Sequence, residues 1–162
     1  MTTFDPDSAA SRTLIVGYGN TLRGDDAAGP LVAEAIQALG LDGVDVRVCH
    51  QLTPEISEKV AAAGQVIFID AGEGNERLAE VREIVGGPEA PVFGHAMDPR
   101  TILDLARGLF GRSPRAWLVT VASRSFELGA APSPDCVAGM ALARKAVRGL
   151  CQAVNRGATA EA

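Results

Sequence analysis

The segment 13–30 constrains the fold of this chain more than any other, because it joins a short apolar run to a glycine-rich turn and a helical pattern. The apolar run at 14–16 has the character of a buried β-strand, and the helical pattern begins after Pro30. A strand, a tight turn and a helix in this order are typical of the start of an open α/β sheet. Ligands of such sheets bind beyond the carboxyl ends of the strands. The adjacent carboxylates Asp25 and Asp26 are therefore expected at the mouth of a binding site.

Strand-like and helix-like patterns alternate along the rest of the chain. Strands are predicted at 13–18, 44–49, 66–69, 78–85 and 116–121, and helices at 31–39, 53–63, 98–109 and 133–154. The unbroken apolar run 66–69 indicates a central strand, whereas the alternation in 44–49 indicates an edge strand with one solvated face. The weak alternation at 78–85 leaves the direction of that strand open. The order predicts an α/β domain with one mostly parallel sheet and helices on both faces.

Length and composition bound the class of protein. The chain has 162 residues, which suits one domain at 13–154 between a disordered N-terminal tail at 1–12 and a loose C-terminal tail at 155–162. Hydrophobic residues make up 47%, but no apolar run approaches the length of a bilayer, so no membrane partner is expected. The net charge of −5 argues against nucleic acid as a partner. The first 12 residues lack the apolar core of a signal peptide, which predicts a cytoplasmic protein.

Three polar residues fall where strands or the loops after them reach the carboxyl edge of the predicted sheet. Asp26 follows the first strand, Asp70 ends the central strand, and His95 lies in the loop 88–97. Two carboxylates and an imidazole suit a divalent first-row metal such as nickel or zinc, held weakly or completed by a partner. The chain lacks four ligands at the spacing of a structural zinc site. His50, at the end of the second strand, is a further polar group at the same edge.

Each of these residues also has a structural interpretation. Asp70 is placed to cap the following turn, and the acidic pair Asp25 and Asp26 is favoured by the dipole of the helix that follows. His95 suits an ordinary hydrogen bond within its loop, and His50 suits a solvated strand end. Spacing alone leaves both interpretations open for every one of them.

Three other kinds of site fit the residues less well. The Gly-x-Gly turn at 17–19 has Leu22 where a dinucleotide fingerprint needs its third glycine, which excludes a bound NAD or FAD. A receiver-like domain with Asp70 as phosphate acceptor remains an alternative, as does a metal carrier without enzymatic activity. Ser123 and Ser125 lie outside any GxSxG elbow, so a serine hydrolase is disfavoured.

Several motifs together resemble those of the [NiFe]-hydrogenase maturation proteases. The first is GxGNxLxGDDxxG at 17–29, and IxxDA follows at 67–71. A loop then carries His95, LVxV occupies 118–121, and Ser-Pro at 133–134 precedes the last helix. The resemblance covers nearly the whole chain, and the first block is the most specific part of it.

The resemblance implies a fold, an activity and a set of site residues. The implied fold is a single three-layer α/β/α domain with a twisted, mostly parallel five-stranded sheet. The implied activity is that of an endopeptidase, sometimes classed as aspartic-type, which removes the C-terminal extension of a hydrogenase large-subunit precursor after nickel insertion. The family's metal-contacting positions match Asp26, Asp70 and His95. The nickel is expected to be supplied by the precursor and not held tightly by the protease.

Two further expectations concern the precursor and the attacking group. The segment HQLTPE at 50–55 resembles the variant found in proteases that serve the cytosolic, NAD-linked type of hydrogenase. Either Asp26 or Asp25 could activate a water molecule as general base, or the metal could polarise the scissile carbonyl.

Overall fold

Five strands form one sheet in the computed structural model, which describes residues 12–74, 76–87 and 97–160, with side chains through residue 154. The strands are β1 (Thr13–Tyr18), β2 (Val44–Cys49), β3 (Gln65–Glu73), β4 (Ala79–Ile84) and β5 (Arg115–Ser123). Their order across the sheet is β2-β1-β3-β5-β4. Only β4 runs antiparallel to its neighbour among these strands, so the predicted mostly parallel α/β sheet is confirmed.

Four α-helices and one 3-10 turn connect the strands. They are the 3-10 turn (Gly24–Ala27), α1 (Ala28–Gln37), α2 (Ile56–Ala62), α3 (Pro99–Phe110) and α4 (Pro134–Ala160). Helices α1 and α4 pack on one face of the sheet, where Ile36 and Val147 join the buried Ile67. Helices α2 and α3 pack on the other face, where Val60 and Ile102 join Phe68. The three layers implied by the sequence motifs are therefore present.

The helix ends agree with the sequence patterns in some places and differ in others. Helix α3 begins as predicted, because the Asp98 carboxylate accepts a hydrogen bond of 2.6 Å from the Arg100 N–H, and it ends at Gly111, whose φ is 72°. The helix predicted at 53–63 begins only at Ile56 and receives no side-chain cap at its start, so Thr53 is not its N-cap. Residues 53–57 instead form a turn in which the Pro54 carbonyl accepts from the Ser57 N–H.

Helices α1 and α4 have bounds that differ from the predicted ones. Helix α1 begins before Pro30, earlier than predicted, because the 3-10 turn leads directly into it and proline is tolerated in a first turn. Helix α4 continues through Ala160, although the pattern predicted a loose tail from residue 155. Each residue added to an existing helix gains a hydrogen bond without a new nucleation step, which favours the continuation. Of the predicted N-terminal tail, residues 1–11 lie outside the described part of the chain.

The strand that carries Asp70 is longer than its apolar run suggested. Asp70 was predicted to end the central strand, but β3 continues to Glu73 and pairs with β5 as far as Ser123. The pairing of β3 with β1 ends earlier, at Gly17 and Ile69. Asp70 is thus the first residue of β3 that projects beyond its neighbour β1.

In the described ranges no helix has the length and hydropathy needed to cross a membrane.

A matched pair of glycines in α4 tests how closely this helix packs on the sheet. A Cβ atom at Gly139 would collide with the carbonyl oxygen of Leu78, whereas one at Gly149 would meet nothing within 4 Å. We expect Gly139→Ala to lower the free energy of unfolding by about 2 kcal/mol, because backbone must move to relieve the overlap. Gly149→Ala should raise it by about 0.5–1 kcal/mol, because alanine favours the helix. Urea unfolding of both variants measures the difference, and equal midpoints would contradict this packing.

Candidate active site

The turn after β1 places Asp26 at the carboxyl edge of the sheet. At Gly19 the chain has a φ of 145°, which side chains rarely adopt, and a Cβ atom there would collide with the Asp26 carbonyl oxygen. The Asn20 N–H donates a hydrogen bond of 2.8 Å to the Asp26 carboxylate. The glycine therefore allows the loop to fold back on the 3-10 turn, and this contact fixes the Asp26 side chain.

Asp70 is held by two donors, one from its own strand β3 and one from the neighbouring strand β1. The Ala71 N–H donates to its carboxylate at 2.7 Å, and the Tyr18 hydroxyl, at the end of β1, also donates to it. The carboxylate is largely buried but retains access to solvent. Its position and orientation are therefore set by the ends of β1 and β3 together.

The two carboxylates share one cleft. A cavity of about 600 Å³ is lined by Arg23, Asp26, Asp70, Ala71, Glu73 and Phe126. Side chains that are 44 positions apart in the sequence, at 26 and 70, thus line the same space at the carboxyl edge of the sheet. This is the location at which ligands bind in open α/β sheets.

Burial raises the pKa of Asp70 to about 6. The hydrogen bonds from Tyr18 and Ala71 lower this pKa in part, and the nearby charge of Asp26 raises it. Burial, followed by the charge of Asp70, also raises the pKa of the Tyr18 hydroxyl well above its ordinary value. A carboxyl group with a pKa near neutrality in a cleft has the properties of a general acid or base.

The third predicted residue, His95, lies outside the described residues, as does the rest of its loop from 88 to 96. His50 is exposed at the end of β2. In the described part of the chain no group of three or more His, Cys, Asp or Glu side chains is placed to hold a metal ion. Asp26 and Asp70 by themselves supply oxygen ligands that suit a divalent ion only if further ligands come from elsewhere.

The burial of Asp25 and its hydrogen-bond partners could not be predicted from the sequence. Its side chain is fully buried, and its carboxylate accepts hydrogen bonds from the N–H groups of Arg124, Ser125 and Ser133 at 2.6, 3.2 and 2.6 Å. It also accepts from the Ser133 hydroxyl at 2.8 Å. Of the two acids considered as general base, only Asp26 lines the cleft. A receiver-like magnesium site, which needs both acids beside Asp70, also loses one of its members.

The contacts of Asp25 also determine its ionisation. Burial acts to raise the pKa of this carboxyl, but the hydrogen bonds from Arg124, Ser133 and Ser125 together outweigh burial and lower the pKa below its ordinary value. Asp25 is thus a buried anion that holds the loop 124–133 against the start of α1. Because Phe126 lies in this loop and lines the cleft, Asp25 supports one wall of the site.

Ser123, Cys136 and Cys151 are unsuited to act as catalytic nucleophiles. The Ser123 hydroxyl is buried and donates to the Val121 carbonyl oxygen within its own strand. Cys136 and Cys151 are buried, and burial raises their thiol pKa values to about 12 and about 11. A thiol is a nucleophile only as its thiolate, so these two cysteines are inert near neutral pH. The cleft carboxylates are therefore the best candidates for the chemistry.

The fold and the acidic cleft define a class of α/β/α protein with two carboxylates at the carboxyl edge of a mostly parallel sheet. Solved structures that share this fold include several [NiFe]-hydrogenase maturation proteases. The fold implied by the sequence motifs is thereby confirmed. No protein-family model matches the chain, and no curated protein matches it either.

Three of these structures illustrate the extent of the likeness. The hydrogenase maturating endopeptidase HybD from E. coli superimposes with a TM-score of 0.69 and 22% identity, over 87% of this chain and 92% of that one. The [NiFe] hydrogenase maturation protease HycI from Thermococcus kodakarensis KOD1 gives 0.67 and 23%, over 90% and 93%. A hydrogenase 2 maturation peptidase from a Thaumarchaeota archaeon gives 0.61 and 23%, over 84% and 95%. The common fold thus extends over nearly the full length of each protein.

Proposed function

We propose that this chain is an endopeptidase that cleaves the C-terminal extension from a [NiFe]-hydrogenase large-subunit precursor after nickel insertion. The observation that carries the proposal is the cleft in which Asp26 and Asp70 meet, within a fold shared with hydrogenase maturation endopeptidases. The motifs at 17–29 and 67–71, which supply these two acids, point to the same activity.

Nickel enters this proposal as part of the substrate. The precursor's own ligands hold the ion, and Asp26, Asp70 and His95 complete its coordination when the precursor docks. A precursor without nickel lacks this anchor, so the difference in affinity between the loaded and empty forms sets the selectivity. The two carboxylates of the cleft suit this role because they are oxygen donors with room beside them for a partner's ligands.

Hydrolysis needs a base for the attacking water and an acid for the leaving amine. In the proposed mechanism a cleft carboxylate accepts the proton of the attacking water and passes it to the amine nitrogen as the C–N bond breaks. Asp26 or Asp70 can accept this proton through the carboxylate oxygen that does not bind nickel; without nickel the pKa of Asp70 is about 6. The aspartic-type class that the family resemblance implies stays a prediction, as does the cytoplasmic location.

The segment 50–55 favours one type of hydrogenase as the source of the precursor. Its sequence, HQLTPE, follows β2 and lies at the same edge of the sheet as the cleft. We assign the precursor to the cytosolic, NAD-linked type of hydrogenase on the basis of this segment. Preference for that precursor over one from a membrane-bound hydrogenase tests the assignment.

The decisive experiment compares nickel-loaded and nickel-free precursors of the organism's own large subunit. We expect the purified chain to remove a C-terminal segment from the loaded precursor only, seen as a drop in mass, because the empty precursor lacks the docking ion. Cleavage of neither form would contradict the proposed function. Equal cleavage of both forms would contradict the role given to nickel.

Two other activities would give different results in isolation. A receiver-like domain would take a phosphoryl group on Asp70 from a small phosphodonor with magnesium. A metal carrier would bind nickel tightly without the precursor and would cut nothing. Mass spectrometry and equilibrium dialysis of the isolated chain distinguish both from a protease.

A further inference from the structure

Within the described part of the chain, one edge of β3 has no strand partner beside the two cleft acids. β1 accompanies β3 only as far as Ile69, whereas β5 accompanies it to Glu73. Along residues 71–73 the described part of the chain therefore supplies a strand partner on one side only. The open side is the side of β1, and Ala71 and Glu73 both line the cleft.

The open edge exists because the chain leaves the path that β1 would have followed. After Tyr18 the chain makes one more contact with β2, in which the Gly19 N–H donates to the Cys49 carbonyl oxygen at 3.2 Å, whereas its pairing with β3 has ended at Gly17. The chain then folds back and places Asp26 across the cleft.

The backbone groups along this edge are positioned to pair with a strand. In a strand, the N–H and C=O groups of alternate residues project to opposite edges. Ala71, whose N–H contacts the Asp70 carboxylate instead of a strand, projects to the open side, and so does Glu73. Gly72, between them, projects toward β5. The edge therefore offers the Ala71 carbonyl and both backbone groups of Glu73.

We propose that the open edge at residues 71–73 binds the precursor's C-terminal segment as an added β-strand, which positions the scissile bond between Asp26 and Asp70. This proposal rests on the proposed function and names how that site recognises its substrate. Three residues of an extended peptide span about 10 Å. A row of backbone donors and acceptors is matched by an extended peptide and by few other ligands.

The position of the edge favours a substrate peptide over other occupants. Its unpaired residues begin directly after Asp70, so a strand bound there passes the two cleft acids with its own backbone. Unprotected strand edges promote unwanted pairing, and natural proteins usually keep them short or covered. Here the open stretch is short and lies inside a cleft, which limits pairing to a segment that can enter it.

A variant of Glu73 tests the enzyme side of this contact. Glu73→Pro removes the N–H that faces the incoming strand, and the pairing with β5 does not use this N–H. We expect kcat/KM for the nickel-loaded precursor to fall at least about tenfold relative to Glu73→Ala, which loses the same carboxylate but keeps the N–H. Urea unfolding and amide spectra of both variants confirm that they are folded. Equal kcat/KM values for the two folded variants would overturn the proposal.

A backbone scan of the precursor tests the same contact without altering the enzyme. Precursors are prepared by ligation with one N-methylated amide at each successive position around the cleavage point. Strand addition predicts that losses in kcat/KM of about tenfold or more recur at every second position, because only alternate amides face β3. Losses without this period, or at the scissile bond alone, would overturn the proposal while leaving the proposed function intact. Failure of wild-type protein to cut the unmodified loaded precursor would overturn both.

Discussion

Asp70→Asn is expected to abolish cleavage of the loaded precursor while leaving a folded protein. The amide keeps the shape of the side chain and can still accept from Ala71 and Tyr18, but it cannot accept a proton and binds cations weakly. We expect kcat/KM to fall by about a thousandfold or more, within the range measured for loss of an acid–base group. Asp26→Asn should behave in the same way. Ser123→Ala is the matched control and should retain activity, because that hydroxyl faces its own strand.

Although Asp70→Asn should abolish activity, it should raise the stability of the folded protein. Because the pKa of Asp70 is about 6 in the folded protein and lower in the unfolded chain, the folded form binds this proton more tightly. The stabilisation is complete below the unfolded pKa and is lost as the pH rises through about 6. Asn cannot ionise, so Asp70→Asn should be more stable than wild type by about 1–2 kcal/mol near pH 8.

Urea unfolding at about pH 4 and about pH 8 measures this difference. The advantage of Asp70→Asn over wild type should appear only at the higher pH, where the wild-type carboxylate is ionised. An inactive variant that is also less stable at both pH values would show that the activity was lost through misfolding. Full activity in a folded variant would remove Asp70 from the site.

Asp25→Ala is expected to be among the most destabilising single substitutions in the chain. It removes the buried carboxylate and leaves four donors without their acceptor, namely the N–H groups of Arg124, Ser125 and Ser133 and the Ser133 hydroxyl. Removing one side of a buried charged hydrogen-bond network typically lowers the free energy of unfolding by about 3–5 kcal/mol. The loop 124–133 and the start of α4 should loosen first.

Asp25 should also make the protein sensitive to acid. Its folded pKa is lowered from the ordinary value of 3.8, so its stabilisation is present above that value and is lost as the pH falls through the lower, folded pKa. Wild type should therefore lose stability more steeply in acid than Asp25→Asn, whose side chain does not titrate. Parallel stability profiles of the two proteins over that range would contradict the role assigned to this carboxylate.

The adjacent acids show how far sequence reasoning reaches at this site. The motif at 17–29 marks both Asp25 and Asp26 as candidates, and nothing in their spacing separates them. The structure separates them because the 3-10 turn directs consecutive side chains to different surroundings. Asp25 is buried and accepts a hydrogen bond from Ser133, 108 positions away, whereas Asp26 lines the cleft. A contact over such a separation has no local signal in the sequence.

The start of α2 is a second feature that the local sequence did not predict correctly. Thr53 and Pro54 carry the residue types of a helix start, yet the helix begins only at Ile56. The hydroxyl of Ser57 donates to the Pro54 carbonyl at 2.6 Å, and this contact stabilises a turn in place of the first helical residues. Local propensity predicted the helix correctly but not its first turn. The geometry of His95 stays a prediction, since that residue lies outside the described part of the chain.

The amino-acid sequence by itself determined the layers of this protein and marked Asp25, Asp26 and Asp70 as candidates for its cleft. Apolar runs and helical spacing are local patterns, and a parallel sheet brings the ends of its strands to one edge wherever those strands occur in the chain. Only the tertiary structure decided which acid is buried, how far β3 extends past β1, and which strand edge stays open. These features depend on pairing and packing between distant segments, and the free energy of such contacts is not encoded in any single stretch of residues.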